Sequence, residues 1–444
     1  MEELLEICKQ TCNKAKKSGA DEVEIYAENS KKIEVALQNN DIHRAISQQE
    51  NSIGIRVFKN KSLGFASVNM LTPDKIDEAI HNAISLANKS PRDEYNGIPE
   101  PGQIPNVTKI YDPKSQEFGI ADALKLVIQM LKTAKEFDRR VSVESGIFSA
   151  NVGKQTIVNS KGIQLEELSS GFIYYIMGMA IDGSNVSGFD FQFDGTRMLD
   201  EINVESIAKE FAENAVGSLG ASKGESFKGQ ILLSPMAAIS FLYPIIFSVN
   251  ANNVQKGVSK FAGKLGKKVA AETITIEDNG LLEGGLSTSA FDREGLPHKP
   301  LSIIKNGTLS SYLYNTYTAK KDNTGSTGNA SGSPRSLPTI DVTNITIKEG
   351  SRTKEEIIHN IKEGVLVGSF SGVPDPVSGD FSGVVKGGYL IKNGQIVKPL
   401  METLIAGNIF DSLSRISAIS KERKKVFNYL LPYLCIEDVS ITSG

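Results

Sequence analysis

The 444-residue chain has no tryptophan, only three cysteines and only four histidines. The histidines, His43, His81, His298 and His359, lie in four separate predicted elements. Because a catalytic zinc ion needs about three protein ligands, the spacing predicts no zinc site built from histidines in this chain. Assembly of two or more of them in space stays open at this point.

The chain also lacks a long apolar run and a strong charge of either sign. A bilayer-spanning helix needs roughly 20 apolar residues, and the nearest stretch, 231–249, is interrupted by three serines and two prolines. The first residues, MEELLEICKQ, lack the basic and apolar regions of a signal peptide. With a net charge of −3, we expect a cytoplasmic protein with no nucleic-acid and no membrane partner.

Cys8 and Cys12 lie one helical turn apart in the first predicted helix. Such a pair can bind a metal or act in redox chemistry, but small buried residues on an apolar helix face are the more common case. The sequence favours packing and leaves the role of the pair open.

Hydrophobic periodicity predicts an α+β protein with two lobes. In residues 1–225, helices near 2–18, 73–87, 120–131 and 202–219 alternate with period-two segments typical of half-buried antiparallel strands. They suggest two helix–sheet units joined by a proline-rich surface linker at about 91–117. The first lobe therefore packs helices on antiparallel sheets.

Residues 226–444 predict a second, β-rich lobe. A largely apolar helix begins at about Met236, and the tetrapeptide Ile-Lys-Asn-Gly occurs at 304–307 and again at 391–394. Asn-Gly is the preferred pair for a type I′ hairpin turn. Helices are also expected at 355–365 and 410–419, a solvated helix end or linker at 421–425, and a closing strand at 434–441. The lobe is predicted to be a curved antiparallel sheet or open barrel around a buried helix.

Several short motifs occur in an order that resembles the TldD/PmbA family of metalloproteases. They are Ile53–Phe58 with Gly64–Ala66, Ser234–Pro235, Phe261–Gly263 with Gly266, Ser326–Ala330, Gly379–Ser382 and Ile405–Asn408. Three of them, Ser326–Ala330, Gly379–Ser382 and the closing Ile405–Asn408, resemble the PmbA (TldE) branch in particular. The resemblance covers nearly the whole chain and rests on shared order and spacing.

In the TldD branch, the helix after Ser-Pro carries a His-Glu-x-x-x-His motif, and a later cysteine completes a zinc site. The resemblance places these positions at Leu242, Tyr243, Phe247 and Leu390. Leucine and phenylalanine have no donor atom. We therefore expect no zinc in this chain, zinc in a TldD-type partner, and a packed core or interface helix here.

The resemblance implies a non-catalytic subunit that forms half of a peptide chamber, as a heterodimer with a TldD-type subunit, a homodimer, or both. An exposed strand edge would bind extended peptides by β-addition. The glycine-rich loop before Arg335 is a candidate peptide-binding segment, and a flexible surface loop is the alternative. The candidate residues are Gly325, Ser326, Thr327, Gly328, Asn329 and Arg335.

Two other functions stay open. One is an autonomous hydrolase, for which Asp292, Glu294, Asp375 and Asp380 are the candidate general bases, although each sits beside glycine or proline where a solvated turn is favoured. The other is a stand-alone peptide-binding or assembly protein.

Overall fold

The computed structural model describes residues 3–444. In the first lobe, four helices pack on one antiparallel sheet. The helices are α1 (Glu3–Lys17), α2 (Pro73–Lys89), α3 (Ile120–Phe137) and α4 (Val204–Gly217). The strands are β1 (Glu22–Gln38), β2 (Asp41–Lys59), β3 (Ser62–Val68), β4 (Val141–Asn159), β5 (Gln164–Asp182), β6 (Asn185–Val186) and β7 (Asp190–Thr196).

The two predicted helix–sheet units share this sheet. Strand order is β3-β2-β1-β4-β5, because β1 pairs with β4 from Glu24 to Gln38. The helices α1 and α2 cover the end formed by β1 and β2, and α3 and α4 cover the end formed by β4 and β5. Helix α2 follows the predicted pattern: the side chains at 76, 79, 80, 83, 84 and 87 are buried, as the three-to-four-residue spacing requires.

The second lobe is a large sheet that surrounds α5. Its helices are α5 (Pro235–Val249), α6 (Ala251–Gln255), α7 (Thr316–Lys321), α8 (Lys354–His359) and α9 (Ile409–Leu413). Its first strands are β8 (Ser222–Lys223), β9 (Phe227–Leu233), β10 (Ile276–Asn279), β11 (Pro300–Lys305), β12 (Thr308–Leu309), β13 (Ala330–Ser331), β14 (Thr339–Ile340) and β15 (Ile345–Ile347). The remainder are β16 (Glu363–Val367), β17 (Ser369–Ser371), β18 (Asp380–Lys386), β19 (Gly388–Lys392), β20 (Gln395–Met401), β21 (Thr403–Asn408), β22 (Ile416–Val426) and β23 (Tyr429–Ser443).

The predicted α+β class, with an N-terminal helix-on-sheet lobe and a C-terminal sheet around a helix, is confirmed. Phe241, Leu242 and Ile245 of α5 belong to one core cluster with residues from β9, β10, β15 and β23. Both Asn-Gly pairs form the predicted turns, with positive φ at Asn306, Gly307, Asn393 and Gly394. The predicted boundary near residue 225 falls between β8 and β9.

One strand segment was not predicted, and some local predictions were wrong. Residues 41–52, to which the sequence assigns no element, belong to β2, although nearly all of this stretch is exposed. Residues 421–425 lie in β22 and are not a helix end or linker. The predicted helix at 355–365 ends at His359, and the chain enters β16 at Glu363.

The proline-rich linker crosses the first lobe as irregular chain, but it is partly buried. Ile98 is 1% exposed, and Asp112 is 5% exposed and accepts a hydrogen bond from the backbone N–H of Leu199 at 2.9 Å. Within residues 3–444, no helix is both long and apolar enough to cross a membrane.

Candidate functional site

A cleft of about 660 Å³ lies between the two lobes. We call it the inter-lobe cleft. The first lobe contributes the end of β2, the start of β3 and the segment after α2. The second lobe contributes the caps of α6 and α7 and the segment around β14. Its lining includes Arg56, Phe58, Asp93, Asn252 and Tyr317.

Arg56 belongs to a buried cluster of four charges that joins the lobes, which we call the junction cluster. Glu24 and Arg56 lie opposite each other on β1 and β2, and Arg56 donates to Glu24 and, at 2.8 Å, to Glu294. Arg293 donates to Glu24 at 2.8 Å, and its guanidinium carbon lies 4.0 Å from the centroid of the Tyr26 ring. The two positive and two negative charges balance, which is what burial of charged groups requires.

Electrostatics within the cluster keep Glu24 and Arg56 ionised. Burial alone would raise the pKa of Glu24, but Arg56 and Arg293 outweigh it and hold that pKa below its ordinary value. Burial opposes the charge of Arg56, whereas Glu24 and Glu294 raise the pKa of Arg56. The cluster therefore consists of matched ion pairs rather than free acids or bases.

A tight turn presents Arg293 and Glu294 to the first lobe. One carboxylate oxygen of Asp292 accepts the backbone N–H groups of Glu294 and Leu296, both at 2.9 Å. The other accepts that of Ala330 at 3.0 Å. Burial, followed by the charge of Glu294, raises the pKa of Asp292 to about 7. The sequence-based interpretation of Asp292 and Glu294 as solvated turn residues was wrong, because both are buried. Asp375 and Asp380 are exposed.

The predicted peptide-binding loop is held by its own hydrogen bonds. Thr327 Oγ1 accepts the N–H of Tyr314 at 2.8 Å, and Ser326 Oγ donates to the Tyr314 carbonyl at 3.0 Å and accepts from Gly328 at 3.2 Å. Asn329 is buried and donates to Asp278 at 2.5 Å. Gly325 is exposed. Several groups expected to contact a peptide thus stabilise the loop itself.

The end of the predicted segment reaches the first lobe. Arg335 is exposed and lies 3.5 Å from Glu50 of β2. At Gly54 of the same strand, a Cβ would collide with the carbonyl oxygen of Pro334. The segment at 334–335 therefore crosses β2 near the residue where β3 stops pairing with it.

Beyond this crossing, β2 has an unpaired side. Over residues 53–59 it pairs with β3 on one side and β1 on the other. Over residues 41–52 it pairs with β1, and no other strand of the described chain lies along its outer side. We call this stretch the open edge of β2. Open edges leave backbone N–H and C=O groups available to another strand.

The four positions that the family resemblance equates with zinc ligands do not all lie in the core. Leu242 is buried, Tyr243 is 47% exposed, Phe247 is half-buried and Leu390 lies on β19. Leucine and phenylalanine offer no ligand atom, so these side chains do not fit a zinc ion. In residues 3–444, no group of three His, Cys, Asp or Glu side chains is arranged to hold a metal.

Helix α5 has one buried face and one face that is partly exposed. Phe241 packs against the rings of Phe381, with centroids 4.8 Å apart, and Phe370, at 5.9 Å. The opposite face bears apolar side chains that are half-buried or exposed. This outer face of α5 consists of Ile239, Tyr243, Ile246 and Phe247.

Family models cover most of the chain. They match the PmbA/TldA metallopeptidase domain 1 at residues 23–87, the central domain at 113–219 and the C-terminal domain at 226–443. The chain belongs to the PmbA/TldD family of metallopeptidases.

Individual relatives and a solved structure agree with this assignment. An uncharacterized protein of Methanocaldococcus jannaschii is 29% identical, with 88% of this chain and 89% of the relative covered. A metalloprotease PmbA homolog of Buchnera aphidicola is 25% identical, with 99% and 97% covered. The crystal structure of TldE from Thermococcus kodakarensis superposes with a TM-score of 0.92 at 26% identity, over 98% of this chain and all of that one.

Sequence reasoning missed the inter-lobe cleft and the junction cluster. The cleft brings together segments from residue 56 to residue 340, and no local pattern indicates such a meeting. No local signal indicated the cluster, because both Glu24 and Arg56 fall on the predicted polar face of their strands. Glu24 alternates with Val23 and Ile25, and Arg56 alternates with Ile55 and Val57.

Proposed function

We propose that this chain is the non-zinc subunit of a two-subunit TldD/PmbA-type metallopeptidase that degrades extended peptides. Family membership supports peptidase involvement. The observation that carries the non-catalytic role is the set of side chains on α5. By the family resemblance, Leu242 and Phe247 occupy the positions at which a TldD-type subunit would have zinc ligands, and neither side chain has an atom that can coordinate a metal.

The outer face of α5 is the proposed contact with the TldD-type subunit. Its apolar side chains sit at helical spacing, and Tyr243 is 47% exposed. Aromatic side chains are enriched where protein interfaces form. A second copy of this chain is the alternative occupant, which would give a homodimer.

The open edge of β2 is the proposed binding site for the substrate peptide. An extended peptide that pairs with residues 41–52 would extend the sheet by β-addition. Arg335 and Glu50 lie at the inner end of this edge. Loop 324–335 would then form a wall beside the peptide and would not bind it through free N–H groups.

Reconstitution tests the proposal. The chain alone, a TldD-type subunit from the same genome, and their mixture are assayed against an unfolded peptide substrate, with metal content measured for each. We expect activity that a chelator abolishes, present in the mixture and absent from this chain alone. Activity of this chain alone that survives chelation would instead indicate an autonomous hydrolase.

A matched pair of variants tests the interface. Tyr243→Glu places a charge on the outer face of α5, and Leu86→Glu places one on an equally exposed apolar position of α2 (50% exposed). We expect only Tyr243→Glu to weaken assembly with the TldD-type subunit, measured by analytical ultracentrifugation. Equal assembly of both variants would exclude this face as the contact.

The second candidate is a stand-alone peptide-binding protein, which the open edge of β2 also favours. It predicts that peptide binds this chain with no cleavage under any reconstitution.

A further inference from the structure

The inter-lobe cleft has the dimensions of a ligand site. Its volume of about 660 Å³ lies within the range of roughly 300–1,000 Å³ that small-molecule pockets occupy. Its walls are largely apolar, and the lining includes only two residues with a formal charge, Arg56 and Asp93.

Most polar groups of the lining are already committed to the fold. Asn250 caps α6 and donates to the carbonyl of Ile340 at 3.2 Å. Asn315 caps α7, and Asn96 donates to the carbonyl of Lys61 at 2.9 Å. Arg56 is neutralised by Glu24 and Glu294. None of these groups therefore offers an unpaired charge to a ligand.

Asp93 is different, because its carboxylate is fixed in position but has no counter-ion. It accepts the N–H of Tyr95 at 3.0 Å on one oxygen and the hydroxyl of Tyr317 at 2.8 Å on the other. No cationic side chain of the described residues lies within 4.0 Å of it. The adjacent Arg92 pairs with Glu94 instead, at 2.7 Å. Each oxygen of Asp93 keeps a lone pair for a donor.

The surroundings of Asp93 suit a cation attached to an apolar body. Tyr317 lines the cleft, and the face of an aromatic ring attracts a cation. Phe58 supplies apolar contact only, because the guanidinium of Arg56 already lies 5.5 Å from the centroid of its ring. Leu63, Leu337 and Ile340 supply apolar contact. A ligand with a positive group and an aliphatic part therefore complements the cleft in both charge and polarity.

We propose that the inter-lobe cleft binds a primary ammonium group of a short apolar peptide, with Asp93 as its counter-ion. The ammonium group is either the peptide N-terminus or a lysine side chain, since both present the same three donors. This inference rests on the proposed function in taking the ligand to be a peptide, and it assigns a preference for a positive charge to the cleft.

Direct binding to the isolated chain tests the inference. Three tripeptide amides are compared by calorimetry at pH 6.5: three leucines with a free amine, an acetylated leucine-lysine-leucine, and an acetylated leucine-norleucine-leucine. Asp93→Asn removes the charge while keeping an acceptor for Tyr317. Glu94→Gln is the matched control, because its carboxylate is outside the lining and pairs with Arg92.

We expect at least one ammonium-bearing peptide to bind wild type about tenfold or more tightly than the norleucine peptide, as for a hydrogen-bonded ion pair. Asp93→Asn should remove that difference, and Glu94→Gln should keep it. Whichever peptide is preferred identifies the source of the ammonium. The inference is overturned if no ammonium peptide binds wild type more tightly than the neutral one, or if Asp93→Asn leaves the preference intact.

The wild-type comparison stands even if a variant fails to fold. The assay uses no TldD-type subunit and no cleavage, so its failure leaves the proposed subunit role untouched. Conversely, if reconstitution yields no peptidase activity, the binding measurement still tests the preference for an ammonium group.

Discussion

The two halves of β2 differ in what their edges and faces contact. Residues 53–59 are paired on both sides, mostly buried, and joined to the second lobe through Arg56. Residues 41–52 are paired on one side and mostly exposed. One strand thus serves as lobe junction at one end and offers an edge at the other. A similar contrast separates the inner and outer faces of α5. Buried, matched groups hold the fold, and unmatched groups mark the surfaces available for binding.

The junction cluster should give the largest loss of stability. Glu294→Gln leaves Arg56 and Arg293 with a single carboxylate, Glu24. An uncompensated buried charge costs about 3–5 kcal/mol. Urea unfolding should show this loss at an unchanged m-value. Glu283→Gln, at an exposed carboxylate paired with Lys109, is the control and should not move the midpoint. If both variants unfold at the wild-type midpoint, the cluster does not stabilise the junction.

The two faces of α5 should respond differently to truncation. Phe241→Ala removes a ring packed between Phe370 and Phe381 and should cost about 3–5 kcal/mol, as for other core aromatics. Tyr243→Ala removes an exposed ring and should cost well under about 1 kcal/mol. Thermal and urea unfolding measure both. Equal costs would mean that the helix has no free face.

Prolines should separate the two sides of the open edge. Along a strand, consecutive residues direct their N–H groups to opposite sides, so one of Ser47 and Gln48 faces β1 and the other faces outward. Of Ser47→Pro and Gln48→Pro, one should lower the melting temperature by removing a ladder bond. The other should fold normally and lose affinity for extended peptide.

Peptide binding to these two variants is measured by fluorescence anisotropy. Unchanged binding in whichever variant folds normally would exclude β-addition at this edge.

Ionisation of Asp292 should make the stability of the protein depend on pH, with a smaller effect than the substitutions above. Because the pKa of Asp292 rises to about 7 on folding, the folded state holds a proton that the unfolded state releases at a pKa of about 3.9. Its contribution is therefore present below about pH 4 and is lost as pH rises to 7. Urea midpoints across this range should fall less steeply in Asp292→Asn than in wild type. Parallel curves for the two proteins would contradict the raised pKa.

Strong local patterns were sufficient to predict much of the fold. Helix α2 and the Asn306-Gly307 and Asn393-Gly394 turns follow from spacing and turn chemistry alone. The open edge of β2 was missed because both of its faces are exposed, so it has no apolar alternation. The basic run at 421–425 was misread because charge is compatible with an exposed part of a strand.

The candidate site was less predictable because it depends on tertiary contacts. Arg335 was selected as a peptide-binding residue, and it lies beside the open edge. The polar side chains of the loop before it, at 325–329, form hydrogen bonds within the protein, to Tyr314 and Asp278 among others. These partners are distant in the sequence, so no local pattern indicates them. Asp93 was not selected, since nothing local distinguishes a carboxylate without a counter-ion from any other surface aspartate.

The measurement that tests the central claim most directly is metal content with peptidase activity, for this chain alone and with a TldD-type subunit. The account predicts no stoichiometric zinc in this chain and activity only in the mixture. Stoichiometric zinc together with activity in this chain alone would contradict it.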